Sequence, residues 1–393
     1  MSYKEIISVP GIKPVLFTLF MVSFGFGVIL PMLPFYALSL GATPFELGML
    51  TAVFAFMSLV FSPIMGRLAD RFGRRVILLV GTCGFAVSYL LFAFTDSLAM
   101  AFAARAVEGI AAAAMFPACI SLISDFTTEM QRGKAMGLVS MAFSVGFIAG
   151  PAFGGLASSF AVKDAFLLSA FFAACNFASI ALHIKEPKEK AESKDIATQE
   201  IGLLSHIKSP LLFLFLSSFM VAFMIGGIDA ALALYTGEQM GFSSTQIGIV
   251  FTYIGILIMA MQLATGSLVN KYGEIRLIKW GLLLSGAGFF LLMFSQSWLL
   301  LMLALAVFVC GNALVFPSVT SLITKKVHGK RGAVLGLVSS FNSLGQMLGP
   351  LVGGLLYGIS HQLAFLGMAI IIWAYWILFS LFGAKKAEEK REV

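Results

Sequence analysis

The sequence predicts an all-α membrane protein with twelve transmembrane helices. They form two six-helix bundles related by a pseudo-two-fold axis along the membrane normal. Three observations predict this class: composition, the placement of charge, and an internal repeat. Of 393 residues, 59% are hydrophobic and 11% are charged, whereas a soluble domain carries about 25% charged residues. Apolar runs of about 20 residues can cross a bilayer, and most of this chain consists of such runs. Period-2 alternation is absent, which argues against a β-barrel.

Taken in order, span 1 (14–38) is too long for a signal-peptide core and flows directly into PMLP, so no cleavable leader is expected. Span 2 (44–68) runs into the basic stretch GRLADRFGRR at 66–75. Span 3 (76–95) is uniformly apolar, and span 4 (98–125) carries Arg105 and Glu108 inside an apolar run. Span 5 (133–159) holds VGFIAGPAFGG at 145–155. Span 6 (164–184) ends at the longest polar stretch, 185–208, which reads as a cytoplasmic linker. The expected domains are therefore a bundle at 1–184, the linker at 185–208, and a second bundle with a tail at 209–393. In that second half, span 7 (209–236) carries Asp229, followed by spans 8 (244–269), 9 (276–294) and 10 (297–323). Span 11 (331–358) holds LGQMLGPLVGG at 344–354, and span 12 (361–382) leads into a charged tail.

Charge placement fixes the topology. With both termini in the cytoplasm, 24 of the 26 Lys and Arg residues fall on the cytoplasmic side. Lys163 lies outside, and Arg105 lies within a span. This is the positive-inside pattern, and a missed span would scramble it. The net charge of +7 is thus explained by topology, and no nucleic-acid partner is expected.

The repeat is read at an offset of 200. Gly41, Gly48, Gly66, Leu68, Gly73 and Gly81 match Gly241, Gly248, Gly266, Leu268, Gly273 and Gly281, and Phe116-Pro117 matches Phe316-Pro317. After one deletion the offset becomes 199, and Gly150-Pro151 and Gly154-Gly155 match Gly349-Pro350 and Gly353-Gly354. Two like-oriented six-helix halves can rock about a central site and expose it to each side in turn.

Two motifs stand out. In GRLADRFGRR, Gly66 and Gly73 allow a tight turn, and Asp70 can meet a helix N-terminus or Arg71, Arg74 and Arg75. Such a cluster can latch one conformation. The second half carries a weakened copy, GSLVNKYGEI at 266–275, with Asn270 in place of the acid and Glu274 in place of an arginine. In VGFIAGPAFGG, Gly146, Gly150, Pro151, Gly154 and Gly155 interrupt an apolar helix. Proline costs roughly 3 kcal/mol and glycine roughly 1 in a helix interior. Small residues let membrane helices approach closely, so spans 5 and 11 are expected to form the contact between the bundles.

Over its whole length the chain resembles the major facilitator superfamily, in its twelve-span drug:proton antiporter branch. GRLADRFGRR matches the loop 2–3 signature, and G-x-x-x-G-P-x-x-G-G at 146–155 matches the helix 5 antiporter signature. VILPMLPFY at 28–36 resembles the helix 1 pattern, and Arg105-Ala-Val-Glu108-Gly109 the helix 4 R-x-x-Q-G pattern. The stretch at 228–248, with its acid Asp229, is similar to Gram-positive quinolone and multidrug efflux pumps. The resemblance implies proton-driven export of small amphipathic or cationic compounds by a plasma-membrane carrier. The chain departs from the pattern in three places. Glu108 replaces the helix 4 glutamine, FMVSFGFG at 20–27 lacks the helix 1 acid of tetracycline-type relatives, and Asn312 is the one strongly polar side chain in CGNALVFP, where the quinolone pumps carry an acid.

Proton coupling needs a titratable group inside the bilayer, and intramembrane charges are functional candidates. Three are present: Arg105, Glu108 and Asp229. All break the repeat, since Leu305 and Phe308 stand opposite Arg105 and Glu108, and an aliphatic residue near Leu30 stands opposite Asp229. Arg105 and Glu108 share a helix face. A permanent structural ion pair and a proton site both remain open for them. Asp229 has no basic neighbour within two turns, making it the better proton carrier. Candidate cavity walls are Phe24, Tyr36, Phe223, Tyr235, Asn312, Asn342 and Gln346, since such sites combine apolar walls with few polar groups.

The four cysteines and four histidines lack metal-ligand spacing, and G-x-x-x-x-G-K-[ST] is absent. No cofactor, metal, enzyme activity or ATP drive is expected. The expected partners are a small-molecule substrate, protons and the lipid bilayer, with the chain acting as a monomer. Export of one defined metabolite, such as a sugar, or of a lipid is the alternative reading.

Overall fold

The computed structural model describes residues 3–9, 11–158, 161–186, 211–326 and 331–384. Most of the expected linker, the tail beyond 384, His206 and His328 lie outside the described residues. Among the described residues there are helices and turns but no strand.

All twelve expected spans are helices: α1 (Ile12–Ile29), α2 (Pro44–Phe72), α3 (Arg74–Phe94), α4 (Leu98–Phe126), α5 (Glu129–Ser158), α6 (Val162–His183), α7 (Leu212–Leu234), α8 (Ser244–Tyr272), α9 (Glu274–Leu292), α10 (Trp298–Lys326), α11 (Arg331–Ile359) and α12 (His361–Leu378). By length and composition, eleven helices among the described residues can cross a membrane, and α11 is 29 residues long. Span 1 is broken where one helix was expected. Helical order stops at Leu30–Met32 and resumes as Leu33–Ser39. Pro31 has no N–H to continue the ladder, and Pro34 then opens the next helical turn, a position that suits proline.

The repeat is visible in the backbone. Gly41 and Gly241 end their spans at φ +82° and +67°, and Gly73 and Gly273 sit between long helices at φ +98° and +79°. Side chains rarely adopt that region, so glycine is required at these turns. Helix pairing repeats as well. In the first half α1 packs on α5 and α6, and α3 on α4 and α6; in the second, α7 packs on α11 and α12, and α9 on α10 and α12.

The chain forms two compact units. The first comprises Met1–Ala42, Val53–Lys194 and Thr236–Gly255; the second comprises Thr43–Ala52, Asp195–Tyr235 and Ile256–Val393. In the first unit Phe24, Val28, Met32 and Ala165 form a buried cluster. Tyr36 extends the packing at the outer end, where its hydroxyl donates to the carbonyls of Phe92 (2.6 Å) and Thr95 (3.0 Å). In the second unit Tyr235 does the same, donating to Ser295 O at 2.7 Å.

Candidate functional site

Arg105 and Glu108 lie three residues apart on α4. They are 2% and 0% exposed, and Arg105 Nη1 donates to Glu108 Oε2 at 2.7 Å. The guanidinium carbon stands 4.7 Å from the centre of the Phe54 ring on α2, a cation–π contact. Glu108 Oε1 is buried with no hydrogen-bond partner among the described residues. The expected ion pair therefore exists but satisfies only one carboxylate oxygen. At the equivalent positions of the second unit Phe308 packs edge-on against Phe289, centroids 4.9 Å apart, and Leu305 is fully buried. The fold thus closes this site with apolar side chains in one half and with charges in the other.

Asp229 lies on α7 in the second unit, half-buried. Among the described residues it has no hydrogen-bond or ion-pair partner. The glycines beside it bring α7 close to α11 and α12. A Cβ on Gly226 would lie 2.6 Å from Pro350 Cδ, and Gly227 faces the Met368 side chain. Two asparagines tie the same helix down: Asn312 Nδ2 donates to Val221 O at 3.2 Å and Asn342 Nδ2 to Ser218 O at 3.5 Å. Gln346 on α11 is exposed.

The basic motif is built differently from the expectation. Gly66 lies within α2, which continues to Phe72, so Gly73 alone makes the turn. A Cβ on Gly66 would meet nothing within 4 Å, and Gly66 borders a cavity of about 110 Å³ with Asp70, Arg74, Pro117 and Ser121. Asp70 lies within electrostatic reach of Arg74, and Arg74 pairs with Asp125 at the end of α4. The acid on the α3 N-terminus is Glu186, which accepts from the backbone N–H groups of Arg74 (2.8 Å) and Arg75 (2.9 Å). Arg75 Nη2 reaches Ala181 O at 2.6 Å. Arg71 lies along the Phe72 ring.

The glycines of α5 divide between two neighbours. Gly146, Gly150 and Gly154 face α1 of their own half. A Cβ on Gly150 would lie 2.5 Å from Phe24 O and 2.8 Å from Gly27 Cα. Pro151 and Gly155 instead meet α8. A Cβ on Gly248 would lie 2.5 Å from Pro151 O, and one on Gly155 3.1 Å from Thr245 Cα. Every third or fourth residue of a helix shares a face, so positions 146, 150 and 154 serve one neighbour and 155 another.

All four aromatic cavity candidates pack against neighbouring side chains. Phe24 is 4% exposed and sits edge-on to Phe153 and Phe172, while Tyr36 and Tyr235 spend their hydroxyls on the loop carbonyls given above. Phe223 is buried and stacks on Phe219. Among the described residues no group of three or more His, Cys, Asp or Glu is placed to hold a metal ion.

The sequence profile of the Major Facilitator Superfamily matches residues 15–278 and 214–393. The chain belongs to the Major Facilitator Superfamily. It is 32% identical to Multidrug resistance protein 1 of Bacillus subtilis over 349 residues, covering 88% of this chain and 90% of that one. It is 29% identical to Quinolone resistance protein NorA of Staphylococcus aureus over 361 residues, covering 90% and 91%. Among solved structures it resembles the nucleoside transporter NupG (TM-score 0.82, 15% identity, covering 94% of this chain and 98% of that chain). It also resembles a bacterial homolog of the human lysosomal transporter Spinster (TM-score 0.80, 15% identity, covering 97% and 98%). These two show the fold alone.

Two partners in this superfamily chain escape a reading of motifs, Asp125 and Lys325. They are equivalent at the offset of 200, as are Arg74 and Glu274. Arg74 pairs with Asp125 in one half, and Lys325 Nζ lies 2.5 Å from Glu274 Oε1 in the other. The pair is kept and its signs are exchanged. Comparing the halves for compensating charge swaps would have found it. Glu186 carries no such signal, because its role depends on where α6 ends.

Proposed function

We propose that this chain is a proton-coupled antiporter that exports small amphipathic or cationic compounds by alternating access. It would act as a monomer in the plasma membrane with both termini cytoplasmic. Residues 1–184 and 209–393 would be its two moving halves and 185–208 the link between them. The observation that carries the reading is Asp229, a carboxyl on a membrane-spanning helix that has no partner among the described residues. A protonated carboxyl avoids most of the cost of burying charge, and an ionised one can pair with a cation. Proton and cationic substrate then compete for one group, which is sufficient for exchange. The resistance names carried by the relatives at 29–32% identity support an amphipathic substrate.

Asp70 and the arginines at the end of α2 and the start of α3 would act as the latch on the cytoplasmic side. The purified chain in lipid vesicles, under an imposed pH gradient, tests the reading with a panel of lipophilic cations, neutral amphiphiles and sugars. Gradient-dependent movement of several unrelated lipophilic cations is expected. Movement of a sugar alone would favour a single-metabolite exporter, and no response to the gradient would overturn proton coupling.

A further inference from the structure

The interior of the first unit holds polar groups that packing does not explain. Between α1, α3 and α6 lies a small cavity of about 10 Å³, room for about one water. Thr82 and Tyr89 of α3, Ser169 and Asn176 of α6, and Met21 and Val22 of α1 line it. Asn176 is 2% exposed, and its Oδ1 is buried with no hydrogen-bond partner among the described residues. Thr18, one turn from Met21 and Val22 on α1, has a second unpartnered buried oxygen. The hydroxyls of Thr82 and Ser169 donate to carbonyls of their own helices, which leaves their oxygens free to accept.

Tyr89 lines this cavity on the side of α3 that packs on α4. It is 2% exposed and within electrostatic reach of both Glu108 and Arg105. Next to it Ser88 Oγ donates to Ala104 O at 2.9 Å, fixing α3 against α4 at this level. Gly25 of α1 leaves room for the phenol, since a Cβ there would lie 2.9 Å from the Tyr89 hydroxyl. The second unit fills the equivalent space with mostly larger side chains. Met224, Leu282, Phe289, Met368 and Tyr375 stand where Gly25, Thr82, Tyr89, Ser169 and Asn176 stand. There Tyr375 donates to Phe213 O and bonds with Ser217.

We propose that Tyr89 and one water held at Asn176 form the proton entry to Glu108, making the core of the first unit a proton-binding site separate from Asp229. The inference rests on the proton-driven reading for its use in the transport cycle, but its chemistry stands by itself. A phenol both donates and accepts. It can donate to Glu108 Oε1 when the carboxylate is ionised and accept from it when the acid is protonated. In the transfer a proton arriving from the aqueous side makes the water a transient hydronium, which passes it to the Tyr89 oxygen as the phenol's own proton passes to Oε1, so that the water ends neutral and Glu108 has gained one proton. Tyrosine ends neutral, and one proton has moved. The charged group facing Glu108 is Arg105 on its own helix, and the titratable one is Tyr89 on α3. Phe54 of α2 lies against Arg105, Gly25 of α1 and Ser169 and Asn176 of α6 lie on the Tyr89 side, and none of these titrates.

The test is infrared spectroscopy of the full chain in lipid vesicles on transfer from water to D2O. The difference between wild type and Glu108→Gln isolates the C=O stretch of protonated Glu108. That band should appear at acid pH and shift on deuteration. Tyr89→Phe and Asn176→Leu should each slow the shift by about tenfold. Asn176→Ser, which keeps an acceptor and the space, should restore most of the rate, and Cys83→Ser on the exposed face of α3 should not change it. Absence of the band throughout the pH range in which the protein stays folded overturns the proposal. So do wild-type exchange rates in both Tyr89→Phe and Asn176→Leu. Transport is not needed for this readout, so failure of gradient-driven export would leave the infrared result standing, and the reverse.

Discussion

Replacing the Arg105–Glu108 pair separates architecture from function. Arg105→Met leaves Glu108, which is 0% exposed, without its 2.7 Å partner. Removing one member of a buried ion pair costs about 3–5 kcal/mol, whereas replacing both by apolar groups of similar volume is neutral or stabilising by about 1–4 kcal/mol. The second unit supports the second case, because Leu305 and Phe308 fill the equivalent space. Arg105→Met should therefore destabilise the chain toward the upper part of that range, less whatever Glu108 recovers by taking a proton. Arg105→Met/Glu108→Leu should return stability to within about 1 kcal/mol of wild type. Denaturant titration in mixed micelles with the full double-mutant cycle measures the difference. Gradient-driven export should be lost in both variants. A double variant as stable as wild type that still exports normally would show the pair to be dispensable filling. A double variant as unstable as the single would refute the packing argument.

Gly150→Ala should destabilise by about 1–3 kcal/mol, the usual cost of overpacking, because its Cβ would press on the α1 backbone at Phe24 O and Gly27. Gly133→Ala in the same helix meets nothing within 4 Å and should gain about 0.4–1 kcal/mol; equal effects in the same thermal-stability assay would mean that the α1–α5 approach is not tight. Asp70→Asn should slow export by about tenfold, about 1.4 kcal/mol of barrier, with equilibrium substrate binding preserved. Normal turnover in that variant would remove the latch.

The spans and the repeat were legible because burial in lipid demands long apolar runs, and the loops between them keep their charges. Gly73 was legible as a turn for a local reason: it stands between two helices at positive φ. The direction in which a helix residue points was much less so. Phe24 has the composition of a cavity wall, yet it lies against Phe172 in the packed interior. Tyr36 and Tyr235 have the polar tips expected of binding residues, yet their hydroxyls bond the loop carbonyls of Thr95 and Ser295, 59 and 60 residues away. In a chain with 39 phenylalanines, residue type says little about which neighbour a side chain meets. Charges were easier to interpret, since burying one is costly enough to mark the site. Their partners were harder: Asp125 and Glu186 meet Arg74 and Arg75 only after three helices have packed.

Asp229→Asn under a pH gradient alone tests the central claim most directly. The amide imitates the protonated acid but cannot release a proton. Vesicles containing the full chain are given a pH gradient with the membrane potential clamped, and accumulation of a lipophilic cation is followed against its own gradient. The account predicts no accumulation with Asp229→Asn, cation binding that no longer changes with pH, and partial activity with Asp229→Glu, which keeps a titratable group. Uphill accumulation by Asp229→Asn under these conditions would contradict the account and move the exchange site to Glu108.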